Sequence, residues 1–173
     1  GEQMQKSGET LSMKELVDLG HWVENTLEPS SDIRIVYSHP TAFRPLSKLF
    51  SKSGGRCGIF GIIGVLGNGK YALCGIGETV PDLVFGHAET DRLVDVWNNN
   101  PVLNDIRKGL PGDLKGICSD CLMKNMCLGS CVAMNYYRSK DLLAPHWYCE
   151  LAHNAGLFPA ERIRPGSVLE YGG

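Results

Sequence analysis

The chain has 173 residues, 43% of them hydrophobic and 21% charged, with a formal net charge of -2. That is the length of one domain, or one domain with a short appendage, with enough apolar material for a core. The near-neutral balance and the lack of any basic run argue against non-specific nucleic-acid binding and against a charged membrane-surface role. No apolar stretch nears the roughly 20 residues that span a bilayer, and no signal-peptide pattern opens the sequence, so the expected compartment is the cytoplasm.

In chain order, residues 1–11 are polar. Ser12 is placed to cap a helix, with Glu15 three residues on as in a capping box and Leu16, Leu19, Val23 and Leu27 as its apolar stripe. Pro29 and two serines end it. Ile33 to Tyr37 reads as a short β-branched strand stopped by Ser38-His39-Pro40. Residues 41–56 form a connector. A hairpin follows, Ile59 to Leu66 and Lys70 to Ile76, because Gly67-Asn68-Gly69 supplies the positive φ angles of a tight turn. It is expected to bring Cys57 and Cys74 side by side. Asp91 to Trp97 reads as a helix broken by three asparagines, and Pro101 suits the first turn of the next, which runs to about Gly109. Residues 128–140 are expected to be helical. Trp147 to Leu151 leads into a short helix, and from Phe158 the chain reads as a loose tail.

The chemistry lies in the cysteines. There are seven, an odd number, and 21 glycines, many of them between residues 54 and 86. Disulfides use cysteines in pairs, so this count in a chain without a secretion signal points to metal or redox chemistry. Cys118-Ser-Asp-Cys121 can turn two sulfurs onto one metal or cluster. With Cys127 and Cys131 it makes four thiols in fourteen residues, a density suited to zinc or to iron–sulfur clusters. On a single helix, Cys127 and Cys131 would share one face. His39, His87, His146 and His153 are secondary candidates, because none has ligand-like spacing. Gly67-Asn68-Gly69 lacks the lysine of a phosphate loop and reads as a turn, and no hydrolase triad is present.

Set out in full, the pattern is Cys57-x₁₁-Gly69-x₄-Cys74, a gap, Cys118-x₂-Cys121-x₅-Cys127-x₃-Cys131, a gap, and Cys149. This resembles the seven-cysteine signature of the SPASM domain, the C-terminal auxiliary-cluster module of radical S-adenosylmethionine enzymes that modify peptides. The glycine-rich hairpin, Phe85-Gly86-His87 before a helix ending in Trp97, and Leu128-Gly129-Ser130-Cys131 are similar as well. The resemblance covers about residues 57–149. Residues 13–45, with Ile33-Arg34-Ile35-Val36 and Pro40-Thr41-Ala42-Phe43, resemble the final helix and strand of the barrel that precedes such domains.

The resemblance implies an α+β fold: a small glycine-rich hairpin followed by helices and cysteine-rich loops, preceded by a helix–strand remnant like the end of a partial TIM barrel. The organisation it implies is a barrel-end segment over 1–45, the cluster domain over 46–156 and a tail over 157–173. It implies two 4Fe–4S clusters. Cys118, Cys121, Cys127 and Cys149 would hold the second auxiliary cluster. Cys57, Cys74 and Cys131 would hold the first, with an open fourth position or a ligand from Ser51, His39, water or substrate. Ser51 stands where the sulfatase-maturating branch has an eighth cysteine. Gly75 stands where that branch has its acidic proton acceptor, so sulfatase-type chemistry is not supported.

The C-x₃-C-x₂-C that cleaves S-adenosylmethionine is absent, and fewer residues precede Cys57 than a barrel of βα units of about 30 residues needs. The chain is therefore expected to be not catalytic alone, as the C-terminal part of a radical enzyme or its separate partner. S-adenosylmethionine would belong only to that barrel, in cis or in trans, and the substrate would be a peptide or small protein. The rival expectation is a structural, peptide-binding zinc module built on Cys118, Cys121, Cys127 and Cys149, and a recombinant sample could carry zinc in either site.

Overall fold

The computed structural model describes residues 8, 10–49, 57–76 and 79–166. Ser12 caps helix α1 (Met13–Trp22) as expected: its Oγ accepts from the Glu15 amide at 3.3 Å, and Glu15 Oε2 accepts from the Ser12 amide at 2.8 Å. The helix widens into a π turn over Val23–Leu27 and ends in a turn before residue 31. The expected strand Ile33–Tyr37 is not one. It runs without joining a sheet, and Ile33 and Val36 are each 73% exposed. β-branched residues favour extended backbone, but a ladder also needs a neighbour, and no described strand pairs with this segment. The connector holds a 3₁₀ turn, Thr41–Phe43, and a single helical turn α2 (Leu46–Leu49).

The hairpin forms about the expected turn. Strand β1 (Gly64–Val65) pairs antiparallel with β2 (Lys70–Ala72), in the register Gly64 to Ala72 and Val65 to Tyr71. Gly69 takes φ 81°, which glycine adopts without cost. Both arms are shorter than the sequence suggests; ahead of the first, Gly58 to Gly61 makes a turn of its own. A third strand that sequence reading missed, β3 (Val84–His87), pairs with β2 on its other side. Helices α3 (Leu93–Asn99) and α4 (Pro101–Gly109) follow, and Asn100 Oδ1 caps the latter by accepting from the Leu103 amide at 3.2 Å. Next come α5 (Ile117–Asp120), α6 (Lys124–Cys127), α7 (Val132–Ser139) and α8 (Trp147–Asn154). Small antiparallel sheet and helices together make the α+β class expected. Among the described residues no helix is long and apolar enough to cross a membrane.

The chain divides into two compact units. One comprises Gly1–Gly55, Cys121–Met123 and Trp147–Gly173; the other comprises Arg56–Asp120 and Lys124–His146. They interleave along the sequence.

In the first unit α1 packs on α8, and Phe43 meets the rings of Tyr148 and Phe158 at centroid distances of 5.2 and 5.6 Å. The segment from Phe158 is not loose as far as residue 163. Phe158 is buried, Arg162 donates to the carbonyls of Ala42 and Arg44 at 3.2 and 3.0 Å, and Ile163 bridges to Cys121. An aromatic anchor and a guanidinium with two acceptors offset the entropy of ordering this stretch.

In the second unit Leu73, Val80, Leu83 and Ile106 are fully buried at the centre of the core. Trp97 is clamped on its edge. Arg107 donates to its carbonyl at 2.7 Å and lies 4.3 Å over its ring, a cation–π contact.

Candidate metal centre

None of the seven cysteines is joined in a disulfide. Cys57, Cys74, Cys118, Cys127 and Cys131 belong to the second unit, Cys121 and Cys149 to the first. Cys118, Cys121 and Cys149 are buried and the other four half-buried.

Three thiols of the second unit come from separate places in the sequence and are brought into one neighbourhood. Cys57 precedes the hairpin, Cys74 follows β2, and Cys131 starts α7; all three pack against the same core. Burial pushes the Cys57 thiol above its ordinary value, and the neighbouring Cys131 and, more weakly, Cys74 push it the same way. Cys131 therefore acts on Cys57 more than its expected hairpin partner does. Gly64 faces Cys74 across the hairpin, where a Cβ would stand 2.9 Å from the Cys74 carbonyl carbon. Any side chain there would displace the backbone that carries this thiol.

Cys127 and Cys131 do not share a helix. Cys127 ends α6, and α7 begins only at Val132. Between them Leu128, Gly129 and Ser130 take φ values of 55°, 73° and 62°. Three successive left-handed residues reverse the helical sense, so the four-residue spacing does not put both sulfurs on one face. The expected helix over 128–140 is shortened to Val132–Ser139 for the same reason.

Backbone amides are aimed at sulfurs here: Cys118 Sγ accepts from the His146 amide at 3.3 Å, and Cys121 Sγ from the Met123 amide at 3.4 Å. Such donors stabilise negative charge on sulfur and tune the potential of a cluster bound through it. They could not be read from residue types, because any residue except proline supplies an N–H. A set of partly buried thiols with amides aimed at their sulfurs suits an iron–sulfur cluster. Among the described residues no three His, Cys, Asp or Glu side chains converge to hold a single ion. A cluster is less demanding in this respect, since each thiolate meets a different iron.

The other candidates are placed as follows. Ser51 lies outside the described residues. His39 is built into the first unit, its side chain fully buried, with Nδ1 3.3 Å from Glu24 Oε2 and its ring against Phe43 and Tyr148. His87 Nε2 meets the Asn68 carbonyl at 2.9 Å and its Nδ1 accepts from the Glu89 amide at 3.2 Å, which ties it to the hairpin turn. His153 packs edge-on against Phe158. His146 is buried, and burial pulls its pKa down to about 4.

No curated protein and no solved structure matches the chain. Residues 57–122 match a family model, that of the SPASM domain, described as an iron–sulfur cluster-binding domain. The matched stretch holds Cys57, Cys74, Cys118 and Cys121 and stops short of the last three cysteines. Over residues 57–122 the chain carries a SPASM domain, and with it the iron–sulfur cluster binding that the family implies.

Proposed function

We propose that the chain is the auxiliary-cluster domain of a radical S-adenosylmethionine enzyme that modifies a peptide or small protein. It works with a barrel in the same polypeptide or in a partner. Cys57, Cys74 and Cys131 hold one 4Fe–4S cluster, and Cys118, Cys121, Cys127 and Cys149 hold a second. The observation that carries the reading is the packing of Cys57, Cys74 and Cys131 against the second unit's one core, from positions up to 74 residues apart, with a left-handed turn between Cys131 and its sequence neighbour Cys127.

When bound, such clusters supply one-electron transfer and an iron at which a substrate group can be held. The chain's own residues place the thiolates, stabilise their charge through the His146 and Met123 amides, and limit water with the core that backs them. With His39 engaged by Glu24, the fourth position of the first cluster is left to Ser51, to solvent or to a substrate group. The chain contributes no cleavage of S-adenosylmethionine and acts in substrate binding and electron transfer.

The test is iron, acid-labile sulfide and zinc content after anaerobic purification, for the wild type and for Cys57→Ala and Cys118→Ala separately. The reading expects about eight iron and eight sulfide per chain for two cubanes, and the loss of about half in each variant. Zinc with little sulfide after reconstitution would replace it with a structural zinc module.

A further inference from the structure

The turn between Cys127 and Cys131 is held by one side chain. Asn135, one turn into α7 and only 3% exposed, donates from Nδ2 to the Gly129 carbonyl at 2.8 Å. Gly129 is the middle of the three left-handed residues. It also stands where a Cβ would meet Leu114 Cδ2 at 3.0 Å, so the turn is pinned from a second direction. Both ends are tied back to α6: the Leu128 amide donates to the Lys124 carbonyl at 2.8 Å, and the Ser130 amide to the Cys127 carbonyl at 2.9 Å. Leu128 and Ser130 have no intrinsic preference for this conformation, since left-handed backbone is unfavourable for residues with a Cβ. Left to local propensity, Leu-Gly-Ser could let α6 run on toward α7, and Cys127 and Cys131 would then fall four residues apart on one face.

We propose that Asn135 is a positioning residue that sorts the two thiols. By gripping the Gly129 carbonyl it fixes the left-handed turn, so that Cys131 is delivered toward Cys57 and Cys74 while Cys127 is not. The buried Asn135 Oδ1 has no hydrogen-bond partner among the described residues. A buried amide retained with one end unsatisfied is costly, which argues that its donor end has a specific duty. A plain core position would favour an apolar residue of the same volume. This inference rests on the two-cluster reading, and on the assignment of Cys127 and Cys131 to different clusters.

Asn135→Asp keeps the shape of the side chain and removes the donor. Purified anaerobically, this variant should lose about half of the wild-type iron and sulfide, with the signal of one cluster lost from the electron paramagnetic resonance spectrum of the reduced sample. Adding Ser130→Gly, which makes the left-handed conformation accessible without the grip, should restore most of the lost iron and the missing signal. Asn135→Leu, which fills the volume without the donor, should lose the same iron, whereas a role in core packing alone would leave it intact. Full iron and an unchanged spectrum in Asn135→Asp would overturn the proposal. So would a variant that glycine cannot rescue, including one whose circular dichroism shows it unfolded in both backgrounds. A wild-type protein without two clusters would instead defeat the reading beneath it, so the two failures are distinct.

Discussion

Gly20 of α1 lies so close to His39 that a Cβ at Gly20 would stand 2.4 Å from Nε2 of the imidazole. The glycine is a seat for the ring, and the ring is the reason for the glycine. Gly20→Ala should therefore destabilise the protein by about 1–3 kcal/mol, the range for overpacking an interior. In a His39→Ala background the same change should cost far less, and alanine could even improve the helix. Urea midpoints of the four proteins in this cycle settle the point: equal costs in both backgrounds would mean that the helix, and not the ring, rejects the methyl group.

Glu24 and Arg44 form the charged centre of the first unit, with Arg44 Nε donating to Glu24 Oε1 at 3.0 Å and Glu24 only 3% exposed. Arg44→Met should cost about 3–5 kcal/mol, because it strands a carboxylate away from water. Replacing both, with Glu24→Leu and Arg44→Met, should cost much less than the single change. Chemical denaturation of the single and double variants distinguishes this from simple loss of attraction, in which the double variant would be no better than the single.

Two buried histidines make the fold sensitive to mild acid. Burial lowers the pKa of His39, with Glu24 opposing, and lowers that of His146 to about 4. The folded pKa lies below the unfolded one in both cases, so the unfolded chain takes up protons first as pH falls. Stability is complete above about pH 6.5 and declines below it, the His146 share being spent by about pH 4. His146 alone should remove about 2 kcal/mol between pH 7 and pH 5. Urea titrations of the metal-free protein at the two pH values test this. His146→Leu should flatten the dependence, and an equal slope in that variant would count against the assignment.

The Cys57 thiol should react slowly with iodoacetamide in the metal-free protein at pH 8, because burial first and Cys131 second hold it protonated. Cys131→Ser removes one like-charged neighbour and should speed the alkylation of Cys57, as read by peptide mass spectrometry. An unchanged rate in Cys131→Ser would show that the two thiols do not sense each other.

The parts of this molecule that were legible in the sequence are those decided by neighbours in the chain. Ser12 with Glu15, Asn68 with its flanking glycines, and Pro101 after Asn100 each solve a local backbone problem, and the structure has a cap, a turn and a helix start at those positions. The cysteine pattern was likewise visible, as a spacing. What the spacing could not give is the direction of each sulfur. That depends on a left-handed turn at Leu128 and Ser130, residues that rarely adopt it, held by an asparagine on the next helix. Ile33 to Tyr37 has the composition of a strand, but strand formation is settled by a partner that composition does not name. β3 was missed for the converse reason: Val84 to His87 is short and glycine-interrupted, and its pairing with β2 makes it a strand.

That same unpaired stretch from Ile33 to Tyr37 bears on how the protein behaves in the test tube. Two β-branched side chains, each 73% exposed, flank Arg34 and Ile35 on a backbone that no described strand pairs with. Such a segment is a template for adding strands between molecules. Concentrated solutions should turn cloudy on standing, with Arg34 as the only charge to slow the process. Lysine in place of Val36 should lengthen the shelf life without touching a single cysteine.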